Sequence, residues 1–181
     1  MTKLKQILDN YATLCRYCDS VFAFLQNQYG RDMACRKGCS ACCELHSVCA
    51  LEAHAVAASL AKKTPPRMRK WKNRSRCVLC VNGECAVYPT RPVICRTHGV
   101  PLFLDKGKTV ASSCRLNFTG RDLAALPSAH VLDTAALTGN LMRLNIAFCM
   151  VAGRRELASE RFTMADVLAG DIPESILMSK V

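Results

Sequence analysis

Apolar residues recur at helical spacing along the first part of the chain. A stripe that advances by alternating steps of four and three residues predicts an amphipathic helix within residues 1–30, with Leu4, Leu8, Tyr11, Cys15, Cys18, Phe22 and Leu25 on its apolar face. A second helix is predicted over residues 49–63, before the two prolines at 65–66. Glu52 and His54 lie off its apolar face, and His54 is expected to be an exposed helix residue.

The last third of the chain carries helical patterns again. The longest runs from about residue 129 to residue 151, and Gly139 is a point where it could divide. A short helix is predicted to open at Thr163, because Asp166 three residues later completes a capping pair. Between the helical regions, Val100–Leu104 and Thr109–Ser112 are predicted to pair as a β-hairpin.

These elements predict a mainly α fold, that is α+β with one minor β-hairpin. We expect a single domain, because 181 residues leave little room for two separate cores. Its predicted parts are the helix at 1–30, a cysteine-rich core at 31–120 with a basic linker at 62–76, and C-terminal helices at 121–181 packed on that core.

Composition adds 13 cysteines and a formal net charge of +11 to this picture. The N-terminal residues lack the continuous apolar segment of a secretory signal. Asp133 and Arg143 interrupt the most apolar stretch before it reaches the roughly 18 residues that a membrane span needs. We therefore expect a cytoplasmic protein without a membrane partner, in which the cysteines are reduced and metal binding is favoured over disulfides.

The basic residues concentrate in the linker at 62–76, which holds eight of them, no acidic residue and the only tryptophan, Trp71. Cations beside an aromatic ring are typical of nucleic-acid binding. A solvated linker is the favoured interpretation, because runs of charge usually lie in solvent. A nucleic-acid partner is kept as the alternative, and no protein partner is indicated.

Four cysteines fall within the helical patterns and are expected in the core: Cys15, Cys18, Cys49 and Cys149. The others all lie between residues 35 and 114, in turn-rich sequence. Short cysteine spacings in turns bring several thiolates towards one point, as a soft or borderline cation requires. The sequence therefore predicts a small helical domain organised around a loop-borne cysteine and metal cluster, without naming the metal.

The cysteine pattern reads C-x3-C-x2-C-C, then C-x7-C-x2-Y-x2-R-P-x2-C-R, then a lone cysteine. It resembles the bacterial CxxCxxCC or YkgJ-like family of zinc- or iron-chelating cysteine-cluster proteins, over about residues 35 to 114. The first gap is one residue longer than in the family, and Cys80 stands where the family tends to have an apolar residue. The resemblance implies metal binding through Cys35, Cys39, Cys42, Cys43, Cys77, Cys85, Cys95 and Cys114.

Eight ligands would suit two tetrahedral thiolate centres of zinc or iron, or an iron–sulfur cluster such as 4Fe–4S. Cys42 and Cys43 are adjacent, so their side chains point to opposite sides and are not expected to bind one ion together. Tyr88, Arg91 and Arg96 are candidate cofactor-binding residues, because hydrogen-bond donors and cations can hold the excess negative charge of metal thiolates. His98 and His46 are less favoured ligands.

The function favoured by the sequence is that of a cytoplasmic metal-binding protein. An iron–sulfur redox protein or enzyme component is one alternative, and a basic nucleic-acid-binding protein with structural zinc is another. No catalytic residue stands out, so the sequence does not decide whether the protein is an enzyme.

Overall fold

The structure is a computed structural model that describes residues 2–36, 38–44, 47–62, 76–104 and 111–177. It is mainly helical with a few short strands, which confirms the predicted fold class. The α-helices are α1 (Lys3–Tyr29), α2 (Ala50–Leu60), α3 (Val93–Thr97), α4 (Thr134–Val151), α5 (Met164–Ala169) and α6 (Glu174–Leu177). Short 3₁₀ helices occupy Gly30–Asp32, Tyr88–Thr90, Leu123–Ala125, Ser128–His130 and Arg155–Ala158. The strands are β1 (Ser47–Val48), β2 (Cys80–Val81), β3 (Glu84–Cys85), β4 (Leu102–Phe103), β5 (Ala111–Ser112), β6 (Leu132–Asp133) and β7 (Phe162–Thr163).

Helix α1 follows the predicted stripe. The Thr2 hydroxyl caps its first turn by accepting the N–H of Lys5 at 3.2 Å. The buried face packs against α3 and α4 and contains Leu4, Ile7, Tyr11, Cys15, Cys18 and Leu25. The prediction of an amphipathic helix within residues 1–30 is therefore confirmed.

Helix α2 corrects two expectations about its polar residues. Glu52 is only 3% exposed, because its carboxylate completes a capping box with Cys49 and accepts the N–H of Val93 at 3.0 Å. One buried carboxylate thus satisfies the first turns of both α2 and α3. His54 is half-buried, and its Nδ1 lies 2.6 Å from the carbonyl of Ile176. His54 was expected to be exposed and Glu52 to lie off the apolar face. Their partners Ile176 and Val93 are too distant in sequence for the helical pattern to reveal.

Helix α4 begins at Thr134, five residues later than predicted, because Ser128–His130 form a 3₁₀ turn and Asp133 caps the helix through the N–H of Ala136. Gly139 does not divide it. Its Asn145 is fully buried, where it accepts the N–H of Leu51 and donates to the carbonyl of Ala158, both at 3.0 Å. Within the described ranges, no helix combines the length and the apolar character of a membrane-spanning segment.

Within the described residues, the strands form three small sheets. The predicted hairpin is confirmed, since β4 pairs antiparallel with β5 and Leu102 lies opposite Ser112, while its connection at 105–110 falls outside the described residues. Strand β6 adds to β4 in parallel, which the sequence did not predict. Strands β1 and β7 pair, as do β2 and β3. The predicted capping pair at the start of α5 is also confirmed, with Thr163 and Asp166 bonded reciprocally.

Candidate metal centre

The loop cysteines lie on three segments that hydrogen bonds hold together. The N–H of Cys77 donates to the carbonyl of Cys43 at 2.7 Å, which joins the second segment to the first. Asn117 joins the third segment to the first, because its Oδ1 accepts the N–H of Ala34 at 2.8 Å and its Nδ2 lies 3.1 Å from the Cys35 Sγ. Segments far apart in sequence are therefore neighbours in space.

Four thiols interact closely enough to form what we call the Cys35 group: Cys35, Cys39, Cys42 and Cys114. Burial raises the pKa of Cys42 to about 11, and the other three thiols contribute to the rise. Burial also raises the pKa of Cys35, although the hydrogen bond from Asn117 opposes this rise. In the absence of a metal, these two thiols are expected to be neutral at physiological pH.

Five thiols interact in a second set, which we call the Cys95 group: Cys43, Cys77, Cys80, Cys85 and Cys95. The pKa of Cys43 is raised to about 12, mainly by burial. The neighbouring Cys80 thiol, which forms a hydrogen bond with the Cys43 thiol, adds to this rise. Burial likewise raises the pKa of Cys77 and Cys95, with contributions from the neighbouring thiols. Cys42 interacts with Cys43 and Cys95, so the two groups adjoin.

No disulfide links any of the 13 cysteines. In the part of the chain that the structure describes, no three His, Cys, Asp or Glu side chains form a set that could hold a metal ion as they stand. The predicted ligands thus share two neighbourhoods without forming a coordination sphere. Their chemistry suits zinc, iron or an iron–sulfur cluster, because the donors in both groups are thiols.

The eight predicted ligands divide evenly between the two groups. Cys42 and Cys43 fall into different groups, although the expectation that they do not share one ion stays a prediction. Cys80 joins the Cys95 group, and the resemblance to the family had left it out. The sequence did contain a signal for it, because Cys77 and Cys80 have the C-x2-C spacing common among metal ligands.

Arg91 and Arg96 contact a carboxylate on α1. The Arg91 Nη2 donates to Asp19 Oδ1 at 2.7 Å, and Arg96 donates to Asp19 Oδ2. Arg96 is 5% exposed and also donates to the carbonyls of Arg91 and Pro89, at 2.9 and 2.7 Å. These bonds fasten the start of α3, which carries Cys95, to α1.

Tyr88, the third candidate cofactor-binding residue of the motif, lies at the surface. Its side chain is exposed, and the Arg91 guanidinium carbon lies 4.1 Å from its ring centroid. The contacts of these three side chains therefore give them a positioning role in the fold. Their predicted contact with a bound cofactor stays a prediction.

Cys42 and Cys95 both line a cavity of about 360 Å³, so each thiol group has a member at this opening. His98, Glu44 and Arg161 line the same cavity, which brings the less favoured ligand His98 near the cysteines. A larger cavity of about 580 Å³ lies between α1 and α4, but its lining includes no cysteine.

The cysteines assigned to the core are buried as predicted: Cys15, Cys18, Cys49 and Cys149. His46 and most of the basic linker, residues 63–75 with Trp71, lie outside the described residues. At the end of the linker, Arg76 Nη1 lies 3.2 Å from the Ser40 hydroxyl. A nucleic-acid partner for the linker stays an untested alternative.

Comparison with known proteins gives no match: no protein-family model, no curated protein and no solved structure is significantly similar to this chain. The resemblance to the YkgJ-like family therefore rests on the cysteine pattern and its motif residues alone.

Proposed function

We propose that this protein binds zinc or iron, as separate ions or as an iron–sulfur cluster, through the thiolates of the Cys35 and Cys95 groups. The observation that supports the proposal best is the division of the loop cysteines into two adjoining sets of interacting thiols. These cysteines come from segments that span residues 35 to 114, so chance proximity along the chain does not account for their grouping.

The numbers of thiols support two centres. The Cys35 group offers four donors, which is the number that a tetrahedral site needs. The Cys95 group offers five, one more than such a site uses. Binding would require the thiols of each group to converge and to lose their protons, because thiol ligands bind a metal as thiolates.

Charge also supports the proposal. The gathered thiols stay protonated without a cation, because as thiolates they would repel one another at a cost of about 4 kcal/mol for two charges about 4 Å apart in a medium of effective dielectric constant near 20. A divalent ion removes this repulsion. The surrounding protein, with its net charge of +11, can tolerate the negative charge that remains on a four-thiolate centre.

The first experiment identifies the metal. The chain is purified without oxygen, and bound elements are counted while the visible spectrum is recorded. Zinc thiolates are expected to be colourless, and an iron–sulfur cluster is expected to give a brown absorbing solution. A chain that holds neither metal, and that takes up neither after incubation with zinc or with iron and sulfide, would contradict the proposal.

The second experiment uses the adjacent cysteines. Cys42→Ala and Cys43→Ala are each expected to lose part of the bound metal, and the double variant to lose more than either. Cys149→Ala is the matched control, because Cys149 is buried in α4 and belongs to neither group. Complete loss of one and the same ion in both single variants would contradict two centres, and metal loss in the control would point to general unfolding.

A further inference from the structure

Cys80 and Cys85 face each other across a tight hairpin. They lie at the outer ends of β2 and β3, and they are paired in the antiparallel register. The turn between the strands contains Asn82 and Gly83, with φ values of +52° and +82°. Positive φ at both positions is the mark of a type I′ turn, which fixes the register of a hairpin strongly.

The hydrogen bonds next to this pair show which kind of cross-strand pair it is. The N–H of Ala86 donates to the carbonyl of Leu79 at 2.9 Å, so residues 79 and 86 form a hydrogen-bonded pair. Such pairs alternate along antiparallel strands, and Cys80–Cys85 is therefore a non-hydrogen-bonded pair. The Cα atoms of such a pair are about 4.5 Å apart and its side chains approach most closely. That separation lies within the range of roughly 4.4–6.8 Å that a disulfide spans.

We infer that Cys80 and Cys85 are a redox-active dithiol that forms a reversible disulfide across the hairpin. The oxidant is a peroxide: two S–H bonds break, one S–S bond forms, and hydrogen peroxide accepts two electrons and two protons to leave two molecules of water. Both cysteines are half-buried, so a molecule of this size can reach them. A dithiol reductant reverses the step by thiol–disulfide exchange.

Cys43 is the competing partner, because its thiol hydrogen-bonds to that of Cys80. A Cys43–Cys80 bond would close a loop of more than 30 residues, which includes α2 and the basic linker. The hairpin instead holds Cys80 directly opposite Cys85, with only four residues between them, in a register that the tight turn fixes. The structure therefore favours Cys85 as the partner.

The consequence for metal binding rests on the proposed function. Cys85 is a proposed ligand, and a sulfur atom in a disulfide is no longer a thiolate that can bind a metal. Oxidation is therefore expected to release metal from the Cys95 group and to leave the Cys35 group loaded. The protein would then retain or release part of its metal according to the oxidants around it.

The test is peptide mapping of the full chain after treatment with hydrogen peroxide, followed by alkylation of the remaining thiols. Cleavage after Arg76, Glu84 and Arg96 separates residues 77–84 from residues 85–96 unless a disulfide joins them. We expect the two fragments to be joined, with the loss of two hydrogen atoms, and to separate after reduction. Tandem fragmentation assigns the bond to its two cysteines.

Variants of single cysteines give the controls. Cys80→Ala and Cys85→Ala are each expected to abolish the link between the fragments, and Cys39→Ala, in the other group, to leave it intact. Separate fragments in the oxidised wild-type chain, or a bond from Cys80 to Cys43, would overturn the inference. Metal is counted in the same samples. A Cys80–Cys85 bond formed without metal loss would support the dithiol and contradict the assignment of Cys85 as a ligand.

Discussion

Replacing Asp19 by asparagine is expected to destabilise the protein far more than the same change at Asp9, although both residues lie on α1 and both accept a hydrogen bond from a cation. Asp19 binds Arg91 and Arg96, which are 13% and 5% exposed. Asp9 binds Lys5, and the side chains of that pair are 53% and 61% exposed. In the Asp19→Asn variant, the new amide would present an N–H to one guanidinium group and leave that buried cation without its counter-charge.

The magnitude follows from the burial of the two arginines. Breaking a fully buried ion pair costs about 3–5 kcal/mol, because the remaining charge is stranded. The Asp19 side chain is 41% exposed, and water can enter where it is removed, so we reduce this cost to about 2 kcal/mol. The exposed pair at Asp9 is worth about 0.3–0.5 kcal/mol, like other pairs one helical turn apart.

Thermal unfolding followed by circular dichroism measures both effects. For a chain of this size, about 2 kcal/mol corresponds to a fall in Tm of about 4–8 °C, and the Asp9→Asn variant is expected to lose at most about 2 °C. High salt should abolish the small effect and preserve most of the large one, since buried charges are screened less. Equal shifts for the two variants, or an unchanged Tm for Asp19→Asn, would refute the view that this carboxylate anchors α3.

Two further predictions test the supports of the thiol groups. Burial raises the pKa of Glu52 above its ordinary value of about 4.5, so the folded protein holds this proton more tightly than the unfolded chain and loses that stabilisation as the pH rises. The free energy of unfolding of the Glu52→Gln variant, relative to that of the wild type, should therefore increase with rising pH. Urea titration at several values from about pH 5 to about pH 8 measures this difference, and a constant difference would contradict the prediction. Gly99→Ala would bring a Cβ to 2.6 Å from the Cys35 Sγ, so it should lower the free energy of unfolding by about 1–3 kcal/mol in the same assay. The control Gly139→Ala, in open space on α4, should instead raise it by about 0.5–1 kcal/mol. A stabilised Gly99→Ala variant would show that the Cys35 loop moves to accommodate the new Cβ.

The sequence predicted elements whose causes are local. The stripe of α1 depends on spacing within one helix, and the Thr163–Asp166 cap depends on residues three positions apart. Sequence reasoning placed Glu52 off the apolar face of α2 and did not foresee its burial, because its partner Val93 lies 41 residues away. It also missed β6, a two-residue strand whose only signal is its pairing with β4. Elements set by their own residues were readable, and those set by a distant partner were not.

In the candidate site, too, the sequence predicted the features with local causes and missed those set by distant contacts. The density of cysteines in loops predicted a cluster, since spacing and turns are local properties. The division into two groups depends on how three segments pack, and Cys114 lies near Cys35 because contacts such as those of Asn117 tie their segments together. The motif arginines were expected at the metal, but their carboxylate partner is Asp19, more than 70 residues earlier on α1. The spacing of the motif could not predict a charge partner so far away in the sequence.

Polar side chains hold the thiol groups in place from the helical side. Asn117 fixes the Cys35 loop, Glu52 caps the helix that carries Cys95, and Asp19 fastens the same helix to α1. The helices pack on an apolar core, and Cys114 alone among the loop thiols is buried. Since these supports require no metal, the helices are expected to keep their packing in the apo protein. If metal binds as proposed, its free energy of binding would then act mainly on the loops that carry the thiols.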